Sequence, residues 1–199
     1  MVIRKAEFVK SAVKKEQYPL ELVEDGIDIS FAGRSNVGKS SLINALVNRK
    51  ALAKRGKTPG VTSLINFFNI NDAFYLVDLP GYGYAETAKK ERSDWGTIIN
   101  TYLEEREQLK MVILLVDIRH APSKDDCAMY NWIRHSGLNH IVAATKLDKI
   151  KRSQLSKRLK EIKDVLQLPG SVPVVPVSST DKKGIEEIWA QIETALNAT

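Results

Sequence analysis

A single cysteine, Cys127, stands in the whole chain, which excludes an internal disulfide and points to a reducing, cytoplasmic setting. It lies with Ala128, Met129, Trp132 and Ile133 on a predicted helix, so it reads as a partly buried structural thiol rather than a nucleophile. Histidine is scarce too. His120, His135 and His140 form no catalytic constellation, and no Cys/His cluster has zinc-ligand spacing. No apolar run reaches membrane-spanning length, and Met1-Val2-Ile3-Arg4 opens no secretory signal. Internal repeats and low-complexity tracts are absent as well. Disulfide scaffolds, structural zinc and membrane insertion therefore drop out, and no dimerisation signature argues against a monomer.

What is present is an ordinary globular composition, 43% hydrophobic and 27% charged over 199 residues. One domain is the natural size, here 27–199, with 1–26 as a short basic extension, broken at Tyr18-Pro19, that reads as an arm or edge strand. The net charge of +6 is unevenly spread. Lys146, Lys149, Lys151, Arg152, Lys157, Arg158, Lys160 and Lys163 face only Asp148 and Glu161 within 146–163, a stretch that carries the whole surplus. An anionic partner is implied. The stretch has no aromatic residue for base stacking, so it suits a sequence-tolerant grip on the phosphates of folded RNA; a solvated helix face is the plainer alternative.

Gly33-Arg34-Ser35-Asn36-Val37-Gly38-Lys39-Ser40-Ser41 spells the phosphate-loop pattern G-x-x-x-x-G-K-[ST]. Ile27, Ile29 and Phe31 before it suggest a strand, and Leu42, Ile43, Leu46 and Val47 after it have helical spacing. The glycines let successive N–H groups turn toward phosphate oxygens. Lys39 supplies a point charge for the β- and γ-phosphates, and the Ser40 hydroxyl is a Mg²⁺ ligand. A chance match in a chain this size has a probability of about 1% or less. The chain is expected to bind a nucleoside triphosphate.

Strand and helix patterns then alternate. Leu64–Ile70 and Phe74–Asp78 flank Asn71-Asp72, a hairpin turn pair. A helix follows with Trp95, Ile98, Ile99, Tyr102 and Leu103 on its apolar side, then the buried-strand run Met111–Asp117. A helix around Asp125–His135, a strand His140–Thr145, a helix bearing Leu155, Leu159, Ile162 and Leu166, a strand Val172–Val177 and a closing helix with Ile185, Ile188, Trp189, Ile192 and Leu196 complete the chain. The expected fold is a three-layer α/β/α sandwich around a mostly parallel six-stranded sheet with one antiparallel hairpin.

Four further segments fall at strand ends or loops beside the phosphate loop. Asp78-Leu79-Pro80-Gly81 offers a carboxylate for Mg²⁺ through water, and a Gly81 N–H for the γ-phosphate. Thr145-Lys146-Leu147-Asp148 selects the base. The Asp148 carboxylate accepts from guanine N1–H and its exocyclic amine, a donor pair that adenine lacks, while the Lys146 stem lies flat over the ring. Val177-Ser178-Ser179 has backbone N–H groups for guanine O6. In the polar stretch 57–62, Gly60, Val61 and Thr62 belong to a first switch, with Thr62 the ligand for Mg²⁺ and the γ-phosphate and Thr58 second choice. An ATP-dependent kinase would share the phosphate loop without needing Asp148 or Thr62.

With these segments in order, the chain resembles the EngB family (also called YihA/YsxC) of Era-like, translation-factor-related GTPases. The match rests on Gly33–Asn44, Lys57–Thr62, Asp78–Tyr84, Asp117-Ile118-Arg119-His120-Ala121-Pro122 and Thr145–Asp148. The resemblance implies a bacterial cytoplasmic GTPase that binds GTP or GDP with Mg²⁺ and is needed for assembly of the large ribosomal subunit, with a link to cell division and septation. An alternative keeps the rRNA binding and leaves hydrolysis only as a release timer. Tyr82 occupies the place where many GTPases carry a water-orienting glutamine, so slow hydrolysis is expected, with Lys39, Thr62, Gly81 and Asn36 as the catalytic set. In related GTPases an asparagine at the position of Asn36 helps to ligate K⁺; the alternative role is bracing the loop. Thr145 replaces the commoner asparagine, which is expected to loosen its contact with the phosphate loop.

Overall fold

The computed structural model describes residues 1–19, 26–53, 64–83 and 89–198, the stretch 89–95 by its backbone alone. Among these residues seven strands form one sheet: β1 (Ala6–Ala12), β2 (Asp28–Gly33), β3 (Ile65–Ile70), β4 (Phe74–Asp78), β5 (Leu109–Asp117), β6 (His140–Thr145) and β7 (Val174–Pro176). Their order is β1-β3-β4-β2-β5-β6-β7. Pairings β4–β2, β2–β5, β5–β6 and β6–β7 are parallel, whereas β1–β3 and β3–β4 are antiparallel.

The sheet has seven strands rather than the expected six because the N-terminal arm enters it as the edge strand β1. Most of β1 is exposed, so the alternating hydrophobicity that announces a strand is weak there. Pairing with β3 specifies it instead, and Asn71 fastens its start by accepting the N–H groups of Arg4 and Lys5 at 2.8 and 3.0 Å. The β3–β4 turn follows the expectation. Asn71 and Asp72 both have positive φ, 55° and 54°, and the Ala73 N–H reaches the Ile70 carbonyl at 3.0 Å, the backbone of a type I′ turn.

Helices cover both faces. On one side lie α1 (Lys39–Leu46) and α5 (Ile185–Leu196), which bury Leu42, Ile43, Leu46, Ile188, Trp189 and Ile192. On the other lie α2 (Lys89–Glu105), α3 (Lys124–His135) and α4 (Leu155–Leu166), with Ile99, Tyr102, Met129, Tyr130, Ile133, Ile162 and Leu166 in the core. No described helix is long and apolar enough to cross a membrane. β2 lies between β4 and β5, where strand order reverses. The loop after it opens into the crevice at the topological switch point, the usual ligand position in such sheets.

Below the sheet's opposite end, Arg106 donates to Asp28 at 2.8 Å (Nε) and 3.3 Å (Nη2), and Tyr102 adds its hydroxyl at 3.0 Å. Arg106 also reaches the Pro19 carbonyl at 3.2 Å and stacks on Tyr18 and Phe67, tying α2 to β2 and to the N-terminal arm. Cys127 is half-buried, as expected, and burial pushes its thiol up, which keeps it protonated and unreactive. His135 and His140 make local contacts with the carbonyls of Asn131 and Leu138.

Candidate nucleotide-binding site

The phosphate loop is held at both ends by close packing. Gly33 leaves no room for a side chain, since a Cβ there would lie 2.8 Å from Val37 Cγ1 and 3.1 Å from Leu115 Cβ. Space, rather than a turn, explains this glycine. Gly38 is the conformational one: with φ of 110° it caps α1 in a left-handed geometry that side-chained residues rarely adopt. The Leu42 N–H donates to the Gly38 carbonyl at 2.9 Å, so α1 begins at once behind the loop and aims its positive end at the crevice.

Lys39 and Asp78 form an ion pair, Nζ to Oδ1 2.6 Å, with both side chains nearly buried. Asp78 ends β4, and the next residue, Leu79, donates its N–H to the Phe31 carbonyl of β2 at 3.1 Å. Gly81 then folds back onto the loop. A Cβ there would meet Ser35 Oγ at 3.0 Å and its Cα and N at 3.1 Å, and the Ser35 N–H donates to the Tyr82 carbonyl at 2.9 Å. Tyr82 is 5% exposed and directs its hydroxyl to Asp126 on α3 at 2.9 Å. It faces inward, into the core.

The segment Thr145–Asp148, expected to select the base, is tied directly to the phosphate loop. The Thr145 hydroxyl donates to the Val37 carbonyl at 2.7 Å, with the Val116 carbonyl 3.1 Å away. This corrects the expectation that Thr145 loosens the contact. A hydroxyl on a β-branched side chain at the buried end of β6 reaches the loop without an amide. Lys146, held at a φ of 63°, spans from the Asn36 carbonyl (2.9 Å) to Asp117 Oδ2 (2.8 Å). Asp117 also receives Arg119 through Nε (2.9 Å), Nη2 (2.8 Å) and its backbone N–H (3.1 Å). Burial pushes its carboxyl up, but Arg119 and Lys146 outweigh this and hold it well below the usual carboxylate range.

Asp148 accepts from the Ser178 hydroxyl at 3.0 Å and pairs with Lys149 at 3.1 Å. Burial again acts upward, while Lys149, Ser178 and the Asp148 backbone N–H prevail and lower its pKa. Ser178 is fully buried, and its own N–H is spent on the Lys183 carbonyl at 3.0 Å. What Ser178 brings to the site is therefore its hydroxyl, not the backbone donor expected for guanine O6. The Leu147 N–H donates to the Val177 carbonyl at 3.0 Å and joins the two base-side loops.

Three residues that contact the candidate site or the chain leaving it were not singled out as site members from the sequence. Asp117 entered only through the family motif, yet it orients Lys146. Asp126 fell within the helix expected around Asp125–His135 and drew no separate reading. Asn44 grips the Ala53 backbone through two 2.8 Å hydrogen bonds and so anchors the chain leaving α1; a buried amide on the apolar face of an eight-residue helix was the available signal. Asn36 has a φ of 62° and its backbone carbonyl accepts from Lys146. Thr58, Gly60, Val61, Thr62 and Tyr84 lie outside the described residues, as does the Trp95 side chain.

The basic stretch divides in the fold. Lys146 belongs to the site, and Lys149, Arg158 and Lys160 pair with Asp148, Glu161 and Asp164. Lys151, Arg152, Lys157 and Lys163 are exposed and make no ion pair among the described residues.

Residues 28–146 match the family described as "50S ribosome-binding GTPase", and 97–198 match "Elongation factor Tu GTP binding domain". The chain is 52% identical to "Probable GTP-binding protein EngB" of Clostridioides difficile over 99% of its own length and 96% of that protein's. It is 54% identical to the protein of the same name from Clostridium beijerinckii, covering 94% and 93%. A crystal structure of a probable GTP-binding protein engB aligns with a TM-score of 0.73 at 28% identity, over 86% of this chain and all of that one. The G domain of the T. maritima FeoB iron transporter aligns at 0.53 and 29%, over 85% and 98%. With a phosphate loop, a strand-end aspartate and the Asp148 corner gathered at one edge of the sheet, the chain belongs to the EngB family of P-loop GTPases.

Proposed function

We propose that this chain is a guanine-nucleotide switch that hydrolyses GTP slowly with Mg²⁺ and acts in the cytoplasm during assembly of the large ribosomal subunit, with normal septation depending on it. The observation that carries the reading is the interlocking of the two halves of the site. Thr145 and Lys146 bond the phosphate loop itself, so the base and phosphate subsites are set relative to one another before nucleotide arrives. Such preorganisation lowers the ordering cost of binding.

The residues present fit Mg²⁺. The Lys39 ammonium is the partner of Asp78; once Lys39 turns to nucleotide phosphates, a nearly buried carboxylate is left that needs a cation. Ser40 and Asp78, with Thr62 from the segment outside the described residues, are the hard-oxygen donors that hold this metal. When bound, it neutralises charge on the transferring phosphoryl group. Lys39 adds its own positive charge there, the start of α1 contributes its dipole, and Gly81 offers its N–H to the γ-phosphate.

The burial of Tyr82 supports slow intrinsic hydrolysis, because its hydroxyl is committed to Asp126 in the core. The same feature favours a variant of this reading in which hydrolysis serves chiefly as a release timer. The Asn36 amide, with its backbone carbonyl already engaged by Lys146, is available to ligate K⁺, which supplies a charge in the manner of an arginine finger. Equal kcat in K⁺ and Na⁺ would remove that role. The family description and the exposed Lys151, Arg152, Lys157 and Lys163 support a ribosomal RNA contact.

Two measurements test the proposal. In nucleotide competition, GTP and GDP displace a bound guanine nucleotide and ATP does not; displacement by ATP at similar concentration refutes the guanine site. In co-sedimentation with large-subunit particles, the protein loaded with a nonhydrolysable GTP analogue pellets more than the GDP-bound protein, and less of it as salt rises. Binding indifferent to nucleotide refutes the switch.

A further inference from the structure

The residue that follows Gly81 is built into a buried network that reaches from the phosphate loop to α3. Tyr82 OH donates to Asp126 Oδ1 at 2.9 Å. Asp126 is 1% exposed, and its second oxygen accepts the Ser123 N–H and hydroxyl at 2.8 Å each, closing the capping box of α3. Arg34, from within the phosphate loop, brings Nε to 3.4 Å of the same Oδ2. The Tyr82 carbonyl accepts the Ser35 N–H, and Gly81 is pressed against Ser35 so closely that a methyl group would clash. Tyr82 is thus fastened to the phosphate loop by its backbone and to the start of α3 by its side chain.

We propose that Asp126 is a positioning residue for γ-phosphate recognition: by holding the Tyr82 hydroxyl on α3 it fixes Gly81 against the phosphate loop, where its N–H meets the third phosphate. The proposal rests on the reading that Gly81 contacts the γ-phosphate. Asp126 itself touches neither nucleotide nor the reacting atoms. Its effect passes through two residues of backbone, from the phenol to the Gly81 N–H. Arg34 and Ser35 touch the network at the first turn of the phosphate loop, while the Gly81 N–H is its contact with the third phosphate, so the consequence is selective: GTP binding depends on the bond far more than GDP binding does. Burial pushes the Tyr82 hydroxyl well above its ordinary pKa, and the negative charge of Asp126 adds to this, so the phenol remains the donor throughout the range in which the protein is handled.

The test compares Tyr82→Phe, which removes one hydroxyl and keeps the ring in the core, with Gly81→Ala and Ser123→Ala. Kd values are measured by calorimetry for GDP and for a nonhydrolysable GTP analogue on the full chain. Tyr82→Phe is expected to weaken the analogue about tenfold, the scale of one hydrogen bond to a charged group, with GDP weakened far less. Ser123→Ala removes one hydrogen bond to Asp126 Oδ2 but keeps the Ser123 N–H bond and the Tyr82 bond to Oδ1, so it lowers Tm and leaves the ratio of the two affinities close to that of the native chain. Equal weakening of both nucleotides by Tyr82→Phe, or no change in either, overturns the proposal. If Gly81→Ala leaves the ratio unaltered, the γ-phosphate reading itself fails; if Gly81→Ala shifts the ratio while Tyr82→Phe does not, only the role of Asp126 falls.

Discussion

Asp148→Asn is the perturbation whose size follows most directly from the geometry. Each carboxylate oxygen has two lone-pair directions. Oδ1 spends one on the Ser178 hydroxyl at 3.0 Å and Oδ2 one on Lys149 at 3.1 Å, leaving one on each oxygen for guanine N1–H and the exocyclic amine. An asparagine keeps one acceptor and presents an N–H₂ group where the second guanine donor arrives. A hydrogen bond to a charged group is worth about 1.5–3 kcal/mol, so losing one and opposing it with a like dipole costs roughly 3 kcal/mol, or about a hundredfold in Kd. Xanthine has a carbonyl in place of the guanine amine, and the variant is expected to bind xanthosine diphosphate more tightly than GDP. Competition against a fluorescent guanine nucleotide measures both. A GDP affinity within about threefold of the native chain refutes the reasoning, because a difference under 1 kcal/mol is less than one such bond. The pH dependence has a defined sign. Since Lys149 and Ser178 hold the Asp148 carboxyl below its ordinary range against the pull of burial, its contribution to GDP binding persists down through that range and is lost only as pH falls through the lowered pKa.

Arg106→Met leaves Asp28 fully buried with only the Tyr102 hydroxyl, a broken buried pair costing about 3–5 kcal/mol in urea unfolding at neutral pH. Burial already raises the Asp28 pKa, and without Arg106 it rises further, so the penalty shrinks as pH falls and Asp28 takes a proton; a loss under about 1 kcal/mol, or one independent of pH, contradicts this account. Thr145→Val removes the 2.7 Å bond to the Val37 carbonyl at nearly constant shape and is expected to weaken GDP about tenfold, chiefly through faster release in stopped flow; an unchanged off-rate means that the hydroxyl does not brace the loop. Asn44→Ala unpairs both backbone groups of Ala53 and lowers unfolding stability by about 2 kcal/mol in urea, whereas a change within 0.5 kcal/mol, about the noise of a surface substitution, shows that the grip is idle.

Much of the site was readable because phosphate chemistry is local. The turn after β2, the lysine and the following serine must be contiguous, so Gly33–Ser41 carries its function in nine residues. The strand-ending positions of Asp78 and Thr145 were readable from runs of apolar residues, since strands buried on both faces leave that pattern. β1 was not countable in the same way, because half-exposed edge strands take their register from a neighbour. Contacts between distant segments left no local trace: Tyr82 with Asp126 is 44 residues apart, and Thr145 with Val37 is 108.

By itself the sequence determined what this protein binds and in which fold. The phosphate loop and the Asp148 segment are short-range motifs, and the alternation of strands and helices leaves few topologies that bury both faces of a parallel sheet. Only the tertiary structure decided how the parts constrain one another. It turned Tyr82 inward, kept Thr145 on the phosphate loop, tied Lys146 to Asp117 and to the Asn36 carbonyl, and gave Tyr82 and Ala53 their partners in Asp126 and Asn44. The reason is that a buried polar group must find a partner wherever the packed core places one, and that choice is made across the fold rather than along the chain.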